Sequence, residues 1–231
     1  MNPHDLPLPG AEFFLTDAVE AAQRLLGCYL LSETPHDSPG GAPVITGGRI
    51  VETEAYTAGD PASHSYSGRS ARNGSMFAAG GTLYVYLIYG VHHCLNVVVG
   101  PEGTGEAVLL RSIEPIWGVK EMARRRGIAL RVERKERLHP YETPEGRQLR
   151  GIADGPGKIA QALSVSGAED GTSLVSGPVR LLLPKEPLSA ERIVATHRIG
   201  ITKAARNYWR FLDRDSDLLS RKLRASATRP E

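Results

Sequence analysis

The sequence has no apolar run approaching the roughly 20 residues that span a membrane, and its opening segment, Met1 to Gly10, lacks the basic start of a secretion signal. A cytoplasmic protein with no membrane partner is therefore expected. Cysteine is scarce: Cys28 and Cys94 stand in separate apolar contexts with no CxxC or Cys/His spacing. That argues against a zinc centre or a disulfide framework, and both are read as buried thiols. No internal repeat is visible. Basic residues are few at the start, where residues 1–70 carry 3 against 9 acidic ones; residues 192–231 reverse this with 10 against 4, an asymmetry hidden by the net charge of +2. Such a bias is commonly just a solvated face, and it also suits a polyanion.

What is present is ordinary for a folded protein: 41% hydrophobic and 23% charged residues over 231 positions, enough for one domain with its own core. A single unit over 1–231 is expected, with 1–10 and 217–231 as its flexible ends. Helical spacing from Leu15, with Thr16 or Asp17 as N-cap, turns strand-like after Gly27. Residues 32–48 read as a loop or a wide hairpin connection, Gly48 to Tyr56 as a strand, and Thr57 to Gly81 as a long irregular loop of the kind that carries function. Thr82 to Tyr89, Val91 to Val99 and Glu106 to Ile113 form a predicted antiparallel meander, its first turn at Tyr89-Gly90. Residues 117–131 read as a helix with a basic exposed face, 132–150 as a charged, poorly periodic stretch and Gly157 to Leu163 as a short helix. Val179 to Leu183 and Ile199 to Ile201 read as strands. The fold class is α+β, mainly antiparallel sheet with packed helices and a protruding β-hairpin.

Three patterns carry chemistry. In Val51-Glu52-Thr53-Glu54-Ala55-Tyr56 the two-residue strand period puts Glu52, Glu54 and Tyr56 on one face. A solvent-facing edge strand is the plain reading, and a carboxylate base poised by its neighbours is the functional one. Tyr84 and Tyr86 share a face and suit cross-strand packing, whereas Tyr89 falls at the turn tip, where packing explains it poorly and a wedge into the minor groove explains it better. His64, alone in its loop, suits a polar contact in a pocket. His92 and His93 point to opposite faces of a strand and are taken as structural. Gly155-Pro156-Gly157-Lys158 fails as a phosphate loop: its spacing from Gly151 is too long, and Ile159 stands where Ser or Thr should bind magnesium.

Arg49 to Tyr56, His64-Ser65, Arg72-Asn73, Met76-Phe77, Gly81 to Tyr86, Ile88-Tyr89-Gly90, Asn96 and Val108 to Arg111, in this order and spacing, closely resemble the alkyladenine (3-methyladenine) DNA glycosylase family. Weaker similarity continues through Gly155 to Lys158, Gln161 to Leu163 and Arg198 to Gly200. The resemblance implies a monomeric hydrolase of N-glycosyl bonds that binds double-stranded DNA in the minor groove, flips a damaged purine and uses no metal or other cofactor. The implied substrates are 3-methyladenine and other alkylpurines, hypoxanthine and ethenoadenine. By position Glu54 resembles the general base and Arg111 the second holder of the attacking water, with the Ile199 carbonyl as a third. Tyr56, His64 and Tyr86 resemble the walls around the flipped base, Asn96 the residue that excludes guanine, Tyr89 the intercalating wedge, and Arg69 and Lys158 contacts to DNA phosphates. No lysine accompanies these motifs as a Schiff-base nucleophile, so hydrolysis without strand cleavage is expected. Two rivals remain: a glycoside hydrolase using Glu52 and Glu54 as a pair, and a non-catalytic lesion-binding module.

Overall fold

Asp17 caps the first helix: its carboxylate accepts from the amides of Val19 (2.8 Å) and Glu20 (2.9 Å), satisfying two of the free donors at the start of α1, Ala18–Arg24. The structure is a computed structural model describing residues 1–221 other than 37, 39 and 131–147. The stretch expected to be poorly periodic over 132–150 falls mostly outside the described residues, as does most of the tail from 217.

After α1 the chain turns at Gly27 and enters β1, Tyr29–Thr34, which pairs with β2, Val44–Tyr56. Of the two readings of 32–48, loop or wide hairpin connection, the hairpin is the observed one, and its connection is shorter than that span. Ser32-Glu33-Thr34 and Val44-Ile45-Thr46 are paired residue for residue, Thr34 opposite Val44, because β-branched and polar alternation suits a half-covered hairpin as well as a loop. The meander is β3 (Leu83–Ile88), β4 (His92–Val99) and β5 (Glu106–Trp117), followed by α2 (Val119–Arg125), α3 (Pro156–Leu163), β6 (Val179–Leu182), β7 (Ile193–Thr196) and β8 (Arg210–Asp213). Every strand pairing is antiparallel, in the order β3-β4-β5-β2-β1-β6, with β8 also joining β2 and β7 joining β8. The α+β class is therefore the observed one.

Two expectations from periodicity are corrected. Ile199–Ile201 is a bend rather than a strand; the strand of this region is β7, a few residues earlier, and Gly200 takes φ 77°. The helix expected over 117–131 begins after Trp117, which ends β5 buried against Tyr29 and Leu31, and closes at Arg125. Its basic face is also less free than its sequence suggests: Arg124 and Arg125 both pair with Glu121, and Arg125 reaches Thr34 and the Ala162 carbonyl.

β2 matters most for the site. Its first half pairs with β1 and Glu52 to Glu54 with β8, while β5 flanks it from Gly47 to Tyr56, so Glu52 and Glu54 lie in the interior of the sheet. Thr53 and Ala55 face α1 and the main core; the Thr53 hydroxyl donates to the Ala22 carbonyl. A bulge against β5 falls at Ile50 to Thr53, a place where a ladder can re-aim a side chain. Gly48 is required by packing: a Cβ there would lie 2.0 Å from the Glu114 carbonyl oxygen.

The β3–β4 hairpin turns through Tyr89 (φ 53°) and Gly90 (φ 71°), with the Val91 amide donating to the Ile88 carbonyl. Two positive φ values define the tight turn that fits strand twist, a position that suits Asn-Gly and strains tyrosine. Tyr89 is also 86% exposed, so no packing offsets the strain. Tyr89→Asn is expected to raise stability by about 0.5–1 kcal/mol, read as a higher urea midpoint at an unchanged slope; no gain would mean that the ring contributes to the fold.

Candidate active site

A cavity of about 410 Å³ opens beside this hairpin and is lined by Tyr56, His64, Tyr84, Tyr86, Tyr89, Asn96, Arg111 and Ile199 among others. Its size lies in the roughly 300–1,000 Å³ range of small-molecule sites. His64 hydrogen-bonds the Tyr84 hydroxyl through Nδ1 (2.9 Å), and its ring stands edge-on to Tyr86 with centroids 4.5 Å apart. Burial, with Arg72 nearby, lowers the His64 pKa, so the imidazole is neutral at pH 7. Tyr56 and Tyr86 are pushed above the ordinary phenol range, first by burial, and remain protonated.

Glu54 is wholly buried and reaches the cavity through residues that line it. One carboxylate oxygen accepts from the Ile199 amide (2.7 Å); the other accepts from the Tyr56 hydroxyl (2.9 Å) and from Arg111 (3.1 Å). Burial raises its pKa above the ordinary carboxylate value and outweighs the lowering by Arg111, the Ile199 amide and Tyr56; Glu52 adds a smaller push upward. Arg111 keeps its charge for the converse reason: burial opposes it, but Glu54 and Glu52 more than compensate.

Glu52 plays a different part. It accepts from Arg111 (3.2 Å), from Arg210 (2.7 Å) and from both the amide (2.6 Å) and hydroxyl (2.7 Å) of Ser220, and it does not line the cavity. Its oxygens are committed to holding Arg111 and the 210–220 segment, so the geometry disfavours a glycosidase pair.

The site residues read from the sequence fall into two groups. Glu54, Tyr56, His64, Tyr86, Tyr89, Asn96, Arg111 and Ile199 gather at or directly beneath one cavity. Ile199 meets Glu54 directly, through its amide. Asn96 is fixed by its side-chain amide on the Tyr84 carbonyl (3.0 Å). Arg69 and Lys158 stand apart from this group: Arg69 is exposed on the loop, and Lys158 pairs with Asp154 (2.8 Å), which offsets its charge. His92, read as structural, borders the cavity.

The sequence reading also missed Asn73, whose buried amide donates to the carbonyls of His64 (2.8 Å) and Gly68 (3.1 Å) while its oxygen accepts from Ser70. One side chain thereby closes the irregular loop and sets His64. Its signal was its place in the Arg72-Asn73 motif. Asn73→Ala is expected to cost about 2 kcal/mol through the orphaned carbonyls, measured by denaturation, and to raise protease cleavage within 57–81; an unchanged cleavage pattern would refute the clasp. Among the described residues no group of three or more His, Cys, Asp or Glu could hold a metal ion.

An aromatic cavity over one buried, hydrogen-bonded carboxylate, set beside an exposed hairpin tip, has the make-up of a hydrolase site. Comparison with known proteins specifies which. A sequence model described as methylpurine-DNA glycosylase (MPG) matches residues 12–217, and the chain belongs to that family of DNA glycosylases, hydrolases of base excision repair. It is 44% identical over 219 residues to a Methanoculleus marisnigri protein, covering 94% of this chain and 100% of that one. It is 41% identical to a Rhodopseudomonas palustris protein (93% and 89% covered) and 42% identical to one from Rhizobium meliloti (91% and 95%). All three bear the name "Putative 3-methyladenine DNA glycosylase".

Proposed function

We propose that this glycosylase acts as a monomer on the minor groove of duplex DNA, extrudes a damaged purine into the cavity and hydrolyses its N-glycosidic bond with Glu54 as general base, leaving the strand intact. The observation that carries the proposal is the buried Glu54 carboxylate held by three lining residues of an aromatic pocket. Breaking the bond builds positive charge at C1′, and a carboxylate in a low-dielectric site stabilises that charge as well as deprotonating water. Arg111 keeps Glu54 oriented and helps to position the water. Tyr56, His64 and Tyr86 stack on the base, at roughly 1–3 kcal/mol per contact, against the few kcal/mol of unstacking.

Alkylpurines such as 3-methyladenine are the best substrates, since a cationic base leaves readily; hypoxanthine and ethenoadenine are neutral and slower. Asn96, fixed on the Tyr84 carbonyl, cannot swing aside for the exocyclic amine of guanine. Tyr89 enters the duplex and fills the space left by the base. Arg69 and Lys158 contact phosphates at the rim, Lys158 after exchanging Asp154 for the DNA.

Tyr89→Ala is the test of extrusion: lesion-duplex affinity and the rate of base release should each fall about tenfold or more, and wild-type values for both would remove the wedge. Because the base must be ionised and burial raises the Glu54 pKa, single-turnover release should fall as pH drops through a value above the ordinary ~4.3 of glutamate. A rate flat down to that ordinary value would speak against Glu54.

A further inference from the structure

Arg198 is 5% exposed and its position is unusual. One guanidinium nitrogen donates to the Ala55 carbonyl (2.9 Å) and pairs with buried Asp60, while the plane lies over the Tyr56 ring at 4.7 Å and the Trp209 ring at 5.1 Å. Its Nε and second terminal nitrogen are buried with no hydrogen-bond partner among the described residues. Burying a cation with two unmet donors is costly, and apolar side chains in place of both Arg198 and Asp60 would fill the same space at less cost. Stability alone does not account for arginine here.

What Arg198 touches accounts for it better. Ala55 lies between Glu54 and Tyr56, and both its backbone groups are held, the carbonyl by Arg198 and the amide by the Trp209 carbonyl (2.8 Å). The next residue after Arg198 is Ile199, whose amide meets Glu54. One guanidinium thus grips the strand carrying the carboxylate, backs the ring that donates to it and anchors the bend that supplies its amide donor.

We propose that Arg198 is a positioning residue that keeps the Tyr56 hydroxyl and the Ile199 amide on Glu54 during base hydrolysis. The proposal rests on Glu54 acting as the base. The groups facing Glu54 are Arg111 from β5, Glu52 and Tyr56 from β2, the Ile199 amide from the bend and Tyr86 from β3, with Arg210 of β8 behind Glu52. Arg198 influences two of these, both donors to the carboxylate. Losing them leaves Glu54 buried with Arg111 alone to favour ionisation, so its pKa rises further, and the acid limb of the rate moves to higher pH.

The experiment is single-turnover release of 3-methyladenine from a methylated duplex between pH 5 and 9, on wild type, Arg198→Met, Arg198→Lys and Glu54→Gln, with duplex affinity measured separately. The exponential rate constant reports chemistry in the bound complex, whereas the amplitude reports the folded fraction, so a partly unfolded variant is still informative. Arg198→Met is expected to slow release by roughly 10²-fold, to move the acid limb up by about one pH unit and to leave affinity nearly unchanged, with Arg198→Lys between it and wild type. Lower amplitude with a wild-type rate constant and acid limb, in Met or, if Met does not fold, in Lys, would make Arg198 a packing residue and overturn the proposal. Full activity in Glu54→Gln would instead remove the reading beneath it, whatever the Arg198 variants do.

Discussion

Glu54→Gln should bind a lesion-containing duplex with near wild-type affinity and release its base at least about 10³-fold more slowly. General-base catalysis supplies roughly 10²–10⁴-fold, and a carboxylate beside the developing oxocarbenium ion adds an electrostatic share; the amide loses both while keeping the side-chain shape. The Gln oxygen can still accept from Ile199 or Arg111, so the pocket walls remain in place. The same variant has a second signature. Because the folded pKa of Glu54 is raised, its contribution to stability is full below the unfolded pKa and is lost as pH rises through the folded value. Stability of the variant relative to wild type should therefore climb with pH across that window and level off above it. Thermal unfolding at several pH values reads this, and a difference that falls with pH would reverse the sign assigned here.

Arg111→Met should be the most destabilising single change at the site. Arg111 bridges the two fully buried carboxylates of β2, bonding Glu52 at 3.2 Å and Glu54 at 3.1 Å, and its own side chain is only 10% exposed. Without it two like charges share a desolvated space, and Glu52 has Arg210 and Ser220 left while Glu54 has Tyr56 and the Ile199 amide. Breaking such a buried pair costs about 3–5 kcal/mol. Glu54 should also lose much of its base strength at neutral pH by holding its proton. Denaturant unfolding of Arg111→Met and of the double variant Arg111→Met/Glu52→Gln separates the two effects: the second change should return stability and not activity. Loss under about 1 kcal/mol in the single variant would show that Arg111 is dispensable to the network.

The site was legible in the sequence to the extent that it follows from local pattern. Strand alternation put Glu54 and Tyr56 on one face and Thr53 and Ala55 on the other, and the structure does so, with Thr53 on the α1 side. Tyr89 at a turn was visible because a large ring there lacks a packing reason. What pattern could not show was the depth of β2: its edge or central status depends on β8, a four-residue strand more than 150 positions away, too short and too charged to alternate. Burial follows from that pairing, and with it the dominant influence on the Glu54 pKa. The bend at Ile199 looked like a strand for a related reason: three residues carry no usable period, and Gly200 decides the geometry. Arg198 acts through contacts far apart in sequence and Asn73 through bonds inside an irregular loop without a period, so only the motif resemblance touched them.

The measurement that tests the central claim most directly is product analysis after single-turnover reaction of the wild-type protein with a duplex containing 3-methyladenine. The predicted result is stoichiometric free base, with the damaged strand intact until alkali cleaves it at the abasic site. Tight, lesion-selective binding with no base released would contradict it and make the cavity a recognition pocket.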